Sequence, residues 1–219
     1  MKQLTCFLFL CAAFCAHSQT TVKGFVYEDA NGNDKKDKSE KGIANVAVSN
    51  GTEVVVTDGK GGYQLPIGDD NVVFVSKPSG YKPALDENNL PKFYYLHKPK
   101  GSPALKYKGV VPTGPLPASL DFALTPSPEN EDFTALIFGD PQPYTPEEMT
   151  HFANGVVREV AGIQGIAFGL SLGDLVGDNL DLHPSYKETV RKVGIPWYNL
   201  TGNHDMNYDA TKDEHANES

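Results

Sequence analysis

The chain has 219 residues, a formal net charge of −9 and a sequence pI of about 5.1. That length accommodates one large domain or two modest ones. The acidic balance argues against nucleic-acid binding through a basic patch, because such binding depends on cationic side chains along the phosphate backbone.

The first 18 residues have the pattern of a Sec-type signal peptide. Lys2 precedes an apolar run from Leu4 to Ala16, and a small residue follows at Ser18. The pattern predicts cleavage before Gln19 and a secreted or periplasmic protein, free or associated with the cell envelope. The run is short for a membrane span, and no later stretch is apolar enough, so no span is predicted. All three cysteines lie in this leader, so neither disulfides nor thiol chemistry is expected in the mature chain.

Residues 19–126 are predicted to form an all-β antiparallel sandwich. Short β-branched and aromatic runs are separated by Gly, Asn, Asp and Pro, without a long helical period. The predicted strands are 22–27, 44–49, 53–57, 63–66, 71–77 and 119–124. The turn from Thr57 and Asp58 to Tyr63 resembles that of the prealbumin-like, carboxypeptidase-regulatory-type sandwiches.

A polar loop at residues 29–40 has the ligand spacing of a calcium loop. Oxygen-bearing side chains occupy positions one, three, five, nine and twelve, and position seven would supply a backbone carbonyl. These residues are Asp29, Asn31, Asn33, Asp37 and Glu40, with Lys35 at position seven. Position six is Asp34 where Gly is usual, although Asp tolerates the left-handed conformation better than most residues. A structural Ca²⁺ site and a solvated polar hairpin both remain open.

Residues 78–118 are predicted to be a long irregular segment. Eight prolines lie between Pro78 and Pro117, and the aromatic cluster at 93–95 indicates packing on the sandwich or on the next domain rather than a free linker. Residues 127–132 are polar and proline-containing, and they are predicted to be an interdomain linker.

Residues 133–219 are predicted to begin a second, α/β domain. Three apolar runs alternate with helical patterns, which predicts βα units around a largely parallel sheet. The first helix should begin at the N-cap Thr145. The apolar repeat expected to face the sheet is Met149, Phe152, Val156 and Val160. The second helix is predicted at 184–193, with His183 in the preceding loop and His151 and Arg158 facing solvent.

Each of the three apolar runs ends in a loop with acidic or amide side chains. The loops read GDPQ at 139–142, GDLVGD at 173–178 and GNHD at 202–205. Ligand groups gather outside the carboxyl ends of parallel strands, so Asp140, Asp174 and Asn203 are expected to converge. This hard-oxygen set suits two divalent metal ions bridged by one carboxylate. Simple capping of helices or turns by the two Asp side chains does not account for the third loop.

The three loops in this order resemble the motifs of the calcineurin-like metallophosphoesterase family. The resemblance implies an α-β-β-α sandwich domain that hydrolyses phosphomonoesters or phosphodiesters with two divalent metals (Mn, Mg, Fe or Zn). It implies that Asp140 and Gln142 bind the first metal, that Asp174 bridges both, and that Asn203 binds the second. Gln142 departs from the usual His, which favours Mg²⁺, Mn²⁺ or Ca²⁺ somewhat more; a donor to substrate is the alternative role.

The resemblance also implies an acid for the leaving group. His204 would protonate the leaving oxygen of the phosphate ester, and Asp205 would orient the His204 imidazole. Asp178 is expected to brace its own loop.

The family's later histidine ligands, including a Gly-His-x-His block, are absent from the 219 residues. The resemblance therefore covers a truncated first half of the catalytic fold, and we expect a longer protein of which this part alone is inactive. A non-enzymatic, envelope-associated sandwich module with a vestigial phosphoesterase half is the alternative. A nucleotide-binding α/β protein is disfavoured, because no Gly-rich phosphate loop follows any strand.

Overall fold

The structure is a computed structural model that describes residues 20–210. The predicted signal peptide and residues 211–219 lie outside the described residues. Between residues 20 and 210, no helix has the length and apolar character that crossing a membrane requires.

Residues 21–126 form two four-stranded sheets, ordered β4-β1-β8-β6 and β3-β2-β5-β7. The strands are β1 Thr21–Glu28, β2 Ala47–Ser49, β3 Val54–Val56, β4 Gly62–Pro66, β5 Asn71–Val75, β6 Tyr81–Pro83, β7 Tyr94–His97 and β8 Phe122–Pro126. All neighbouring pairs are antiparallel except β1 and β8, so the prediction of a wholly antiparallel sandwich is wrong at one pair. No hairpin joins β1 to β8, so nothing local fixes their relative direction.

The two sheets share one hydrophobic core. In β1, Val22 and Val26 are buried and alternate with exposed residues, as expected for a strand with one covered face. They belong to the same buried cluster as Val48 and Val73 of the second sheet and Leu124 of β8.

Residues 78–118 contain two strands that the sequence pattern does not reveal. The segment contributes β6 to the first sheet and β7 to the second. It also reaches the second half of the chain, because the Asn89 carbonyl accepts a hydrogen bond from the backbone N–H of Trp197 at 3.0 Å. The Phe93 ring lies 6.4 Å from the ring of Tyr198. The prediction that this segment packs against its surroundings is therefore confirmed, and the prediction that it is irregular is wrong only at the two short strands.

The predicted linker at 127–132 is tied to the first half of the chain. The backbone N–H of Ser127 donates to the Gly80 carbonyl at 2.8 Å, and Glu129 pairs with Lys77 and accepts a hydrogen bond from the Ser79 hydroxyl. Its first residue therefore extends the pairing of β8 with β6. The division of the chain into domains at 126 and 133 remains a prediction.

The second half contains the predicted parallel sheet. Its strands are β9 Thr134–Phe138, β10 Ile166–Ser171 and β11 Trp197–Asn199, and β10 lies in the middle, parallel to both neighbours. The helical segments are α1 Pro146–Phe152, a π-helix at Ala153–Val157, α2 Arg158–Val160, a 3₁₀ turn at Leu180–Leu182, α3 His183–Arg191 and a 3₁₀ turn at Asn203–Asp205. A second buried cluster joins sheet and helices, with Trp197 and Tyr186 fully buried at its centre.

The first helix begins where the sequence predicts, but its geometry changes from α-helix to π-helix after Phe152. Thr145 caps it by accepting the Glu148 N–H, and Met149 and Phe152 are buried as expected. Beyond Phe152 the π-helix accommodates one extra residue, which shifts the apolar face by one position. Val157 is consequently 1% exposed, whereas Val156, which was expected to face the sheet, is 48% exposed.

Val157→Ala is therefore expected to lower the free energy of unfolding by about 2 kcal/mol, because it removes buried methyl groups and leaves a cavity. Val156→Ala is the matched control and should change it by less than about 0.5 kcal/mol. Denaturant unfolding of both variants measures the difference. The reverse order would mean that the helix continues as the simple α-helix predicted by the sequence.

Candidate active site

The loops that follow β9, β10 and β11 meet at one edge of the parallel sheet. The backbone N–H of Gln142 donates to the Asp174 carbonyl at 2.9 Å, and that of His204 donates to Asp174 Oδ1 at 3.0 Å. The backbone N–H of Asp178 donates to the His204 carbonyl at 3.3 Å. The three loops singled out in the sequence are therefore joined into one unit, with Asp174 at its centre.

Two glycines allow the second and third loops to touch. Gly173 has a φ of +105°, and a Cβ added there would lie 2.9 Å from the Cα of Gly202. A Cβ added at Gly202 would overlap the carboxylate and backbone nitrogen of Asp174. The glycine that opens each of these loops thus provides room for the other loop.

Three non-glycine residues of the first two loops adopt the left-handed conformation. Their φ values are +44° at Gln142, +47° at Asp174 and +63° at Asp178. Such conformations are sparsely populated by residues with a Cβ, and they cluster at binding and catalytic sites. No feature of the sequence predicted this cluster.

His204 is held by Asp178 and not by Asp205. Its Nδ1 lies 2.8 Å from Asp178 Oδ1, across a contact that is partly open to solvent. The hydrogen bond to Asp178 raises the pKa of His204 above its ordinary value, which favours the protonated ring near neutral pH. The expectation that Asp205 orients this imidazole is wrong, because consecutive residues in the 3₁₀ turn point their side chains in different directions.

Asp205 instead links the second and third motif loops through its carboxylate. Its buried carboxylate accepts hydrogen bonds from the backbone N–H groups of Leu175, Val176 and Gly202 at 2.9–3.1 Å, and His183 Nε2 lies 3.1 Å from Oδ1. Burial works to raise the pKa of Asp205, but the hydrogen bonds from His183 and these N–H groups outweigh burial and lower it. His183, expected in a loop, is the first residue of α3 and contacts this carboxylate.

The predicted metal ligands differ in how available they are. The side chains of Asp140 and Asn203 are exposed and have no hydrogen-bond partner within residues 20–210. One oxygen of Asp174 accepts the His204 N–H, and the side-chain nitrogen of Gln142 donates to the Tyr144 hydroxyl at 3.0 Å. In the described part of the chain, no group of three or more His, Cys, Asp or Glu side chains is placed to hold a metal ion. In chemical type the carboxylate and amide oxygens of these loops fit hard divalent cations.

Sequence reasoning overlooked Tyr144, which belongs to no motif. The ring of Tyr144 lies 6.1 Å from that of His204, at an interplanar angle of 74°. The only sequence signal was its position two residues after the first motif loop.

The polar loop at 29–40 closes on its own side chains. The carboxylate of Asp29, 2% exposed, accepts hydrogen bonds from the N–H groups of Gly32, Asn33 and Asp34. Burial works to raise the pKa of Asp29, but these hydrogen bonds outweigh it and lower the pKa. Asp34 has a φ of +57°, the left-handed conformation expected at position six.

The other predicted calcium ligands are gathered around the same turn. The amide nitrogens of Asn31 and Asn33 donate to Asp37 Oδ2 at 2.8 and 3.1 Å. The Glu40 carboxylate accepts the backbone N–H groups of Ala30 and Asp37. A cation here would require both amides to turn their oxygens inward, so the choice between a Ca²⁺ site and a polar hairpin remains a prediction.

If residues 29–40 bind Ca²⁺, the melting temperature should rise with the logarithm of the Ca²⁺ concentration, because only the folded loop presents the ligands. Each kcal/mol of binding should raise the melting temperature by roughly 2–4 °C in a protein of this length. Calorimetry of the whole protein with Ca²⁺ and with chelator measures this effect, which Asp37→Asn should remove and Asp69→Asn, a change at an exposed acid outside the loop, should preserve. An unchanged melting temperature at millimolar Ca²⁺ would establish a polar hairpin.

Comparison with known proteins bears on the first half of the chain. No curated protein matches the sequence. The family model described as the N terminal of calcineurin-like phosphoesterase matches residues 30–108. That range covers most of the two-sheet region and ends before the three motif loops, so the match is independent of Asp140, Asp174 and Asn203. Over residues 30–108 the chain is therefore similar to the N-terminal domains of calcineurin-like phosphoesterases.

Proposed function

We propose that this protein is a metal-dependent phosphoesterase whose active site lies where the loops after β9, β10 and β11 meet. The observation that carries the proposal is the junction of these loops around Asp174, with oxygen donors from all three strand ends on one edge of the sheet. The match of residues 30–108 to the N-terminal domain of phosphoesterases supports it from a separate part of the chain.

In this proposal the donors of the three loops hold the divalent cations. Asp140, Asp174 and Asn203 contribute carboxylate and amide oxygens, and the Gln142 side-chain oxygen is a further donor to metal or substrate. Bound divalent cations lower the pKa of a coordinated water and offset the charge of the phosphate.

His204 is the proton donor to the leaving group in this proposal. Its Nδ1 is engaged by Asp178, which leaves Nε2, a nitrogen without a hydrogen-bond partner in residues 20–210, to face the substrate. The hydrogen bond to Asp178 raises the pKa of His204 and so favours the protonated ring, from which Nε2 can donate a proton to the leaving oxygen.

The signal-peptide pattern leads to the further proposal that this activity is exported. N-terminal sequencing of the mature protein should read from Gln19. An intact Met1 on protein recovered from the producing cells would overturn export by this route.

The proposal predicts that full-length protein hydrolyses aryl phosphates only with Mn²⁺, Mg²⁺ or a similar cation, and that a chelator abolishes turnover. Asp174→Asn should lower turnover by about 100-fold or more, as expected when a central charge-stabilising group is lost. The matched control is Asp181→Asn, at an exposed acid outside the loop junction, which should leave turnover unchanged. Metal-independent turnover, or equal turnover in both variants, would overturn the assignment.

A further inference from the structure

Tyr144 is a large, partly solvent-exposed aromatic side chain beside His204. It is 46% exposed although its ring lies edge-on to the His204 ring. A Cβ added at Gly177 would lie 2.6 Å from the Tyr144 ring, so the ring rests directly on the Gly177 backbone. One side of the ring is therefore supported by the second motif loop.

Several hydrogen bonds fix the position of this ring. The Tyr144 N–H donates to Glu148 Oε2 at 2.6 Å, and its hydroxyl accepts from Gln142 Nε2 at 3.0 Å. The neighbouring Pro143 carbonyl accepts the Gly177 N–H at 2.9 Å. A ring that is held in place and half exposed can offer its open face to a ligand without a further loss of side-chain freedom.

A groove of about 440 Å³ runs from Tyr144 toward the first helix. It passes between the Pro141–Tyr144 loop and the helix, and its far wall includes Phe152 and Val156. The π-helix explains this wall, because it turns Val156 outward into the groove while Val157 enters the core. The groove is shallow and open to solvent, and its lining is more apolar than polar, so it can cover one face of a small apolar group.

The charged side chains beside the groove do not prevent an uncharged aromatic ring of a ligand from binding there. Glu148 is engaged by the Tyr144 N–H, and the exposed His151 lies at the edge. Since Tyr144 borders both His204 and the groove, a group attached to a phosphate at the loop junction would extend over the Tyr144 ring.

We propose that Tyr144 and this groove form the leaving-group subsite, and that the subsite selects phosphate esters whose leaving group carries a flat aromatic ring. This inference rests on the proposed phosphoesterase function. In the reaction, water attacks phosphorus and releases a proton to solvent, the bond from phosphorus to the ester oxygen breaks, and that oxygen takes the proton donated by His204, which solvent then replaces. An aromatic ring in the groove stacks on Tyr144, and the stack is lost when the ring leaves.

The test compares two substrates whose leaving groups have similar acidity, phenyl phosphate and hexafluoroisopropyl phosphate. In full-length protein the ratio of their kcat/KM values should fall by about three- to tenfold in Tyr144→Ala, the effect expected of one aromatic pair. Tyr144→Phe should keep the ratio, because the ring remains. Gly177→Ala should lower it, because the new methyl group displaces the ring. Tyr94→Ala, at an exposed tyrosine in β7, is the matched control and should not change it.

A binding measurement separates this inference from the proposed function. With the Mg²⁺-loaded protein, phenylphosphonate should shift the NMR signals of Tyr144 and Gly177 more than methylphosphonate does, and in Tyr144→Ala the difference at Gly177 should disappear. Hydrolysis with an unchanged substrate ratio in Tyr144→Ala would overturn the subsite and leave the phosphoesterase proposal standing. Selective binding of phenylphosphonate without any hydrolysis would support the subsite and overturn the phosphoesterase proposal. Equal shifts with both phosphonates would overturn the subsite.

Discussion

Asp205→Asn is expected to lower the free energy of unfolding by about 2–3 kcal/mol, because a neutral amide cannot accept all the hydrogen bonds made by the buried carboxylate. The native side chain accepts from three backbone N–H groups and contacts His183. An amide brings a second set of N–H donors toward groups that are themselves donors. In Asp205→Asn the second and third motif loops should therefore both become more mobile, because the carboxylate bonds to both.

The pH dependence of this loss has a definite sign. The pKa of Asp205 is lowered in the folded protein, so its contribution is present above the unfolded pKa of about 3.9 and is lost as pH falls through the lower folded value. The difference in stability between wild type and Asp205→Asn should therefore be constant from about pH 5 to 8 and shrink below about pH 4.

Denaturant unfolding in the presence of chelator measures this difference across the pH range. Asp181→Asn, at an exposed acid in the 3₁₀ turn before α3, should cost less than about 0.5 kcal/mol. Wild-type stability of Asp205→Asn at pH 7 would contradict the stabilising role of the Asp205 carboxylate. It would mean that water accepts hydrogen bonds from these N–H groups equally well.

The convergence of the three loops could be predicted from the sequence because it follows from strand order alone. Apolar runs that end in GD, GD and GN and alternate with helices imply parallel strands, and parallel strands place their carboxyl ends together. The structure confirms this arrangement through the contacts of Asp174 with Gln142 and His204. The residue that partners His204 depends on side-chain direction, which strand order does not determine. Asp205 is adjacent in sequence, but the left-handed turn at Asp178 brings that carboxylate to the ring.

Other misses have similarly local causes. Strands β6 and β7 have only three and four residues, and β6 ends in Pro83, so neither gives a periodic signal. Val157 is buried and Val156 is exposed because of the π-helix at Ala153–Val157. The spacing of apolar residues does not reveal a π-helix. In each case the deviation involves only a few residues, too few to alter the apolar pattern of the surrounding segment.

Gly202→Ala is expected to disrupt the candidate site as strongly as the loss of the Asp174 carboxylate. The added methyl group would overlap the carboxylate and backbone nitrogen of Asp174, so the third loop must move away from the second. The movement would break the hydrogen bond from the His204 N–H to Asp174 and separate Asn203 from the other donors. Displacing catalytic groups by about 1 Å can lower turnover by roughly 100-fold, and a loss of this size or larger is expected.

Gly139→Ala is the matched control, because it changes the glycine of the first motif loop where an added Cβ meets no atom within 4 Å. It should retain stability and turnover. Hydrogen exchange at the N–H groups of Leu175, Val176 and His204 should be faster in Gly202→Ala alone, which distinguishes a displaced loop from general unfolding. If Gly202→Ala instead kept wild-type exchange and turnover, the second and third loops would not be in the contact described, and Asp174 would not be the centre of the site. The glycine in GNHD is therefore a sensitive test of the site's geometry, since it probes loop contact without removing a catalytic group.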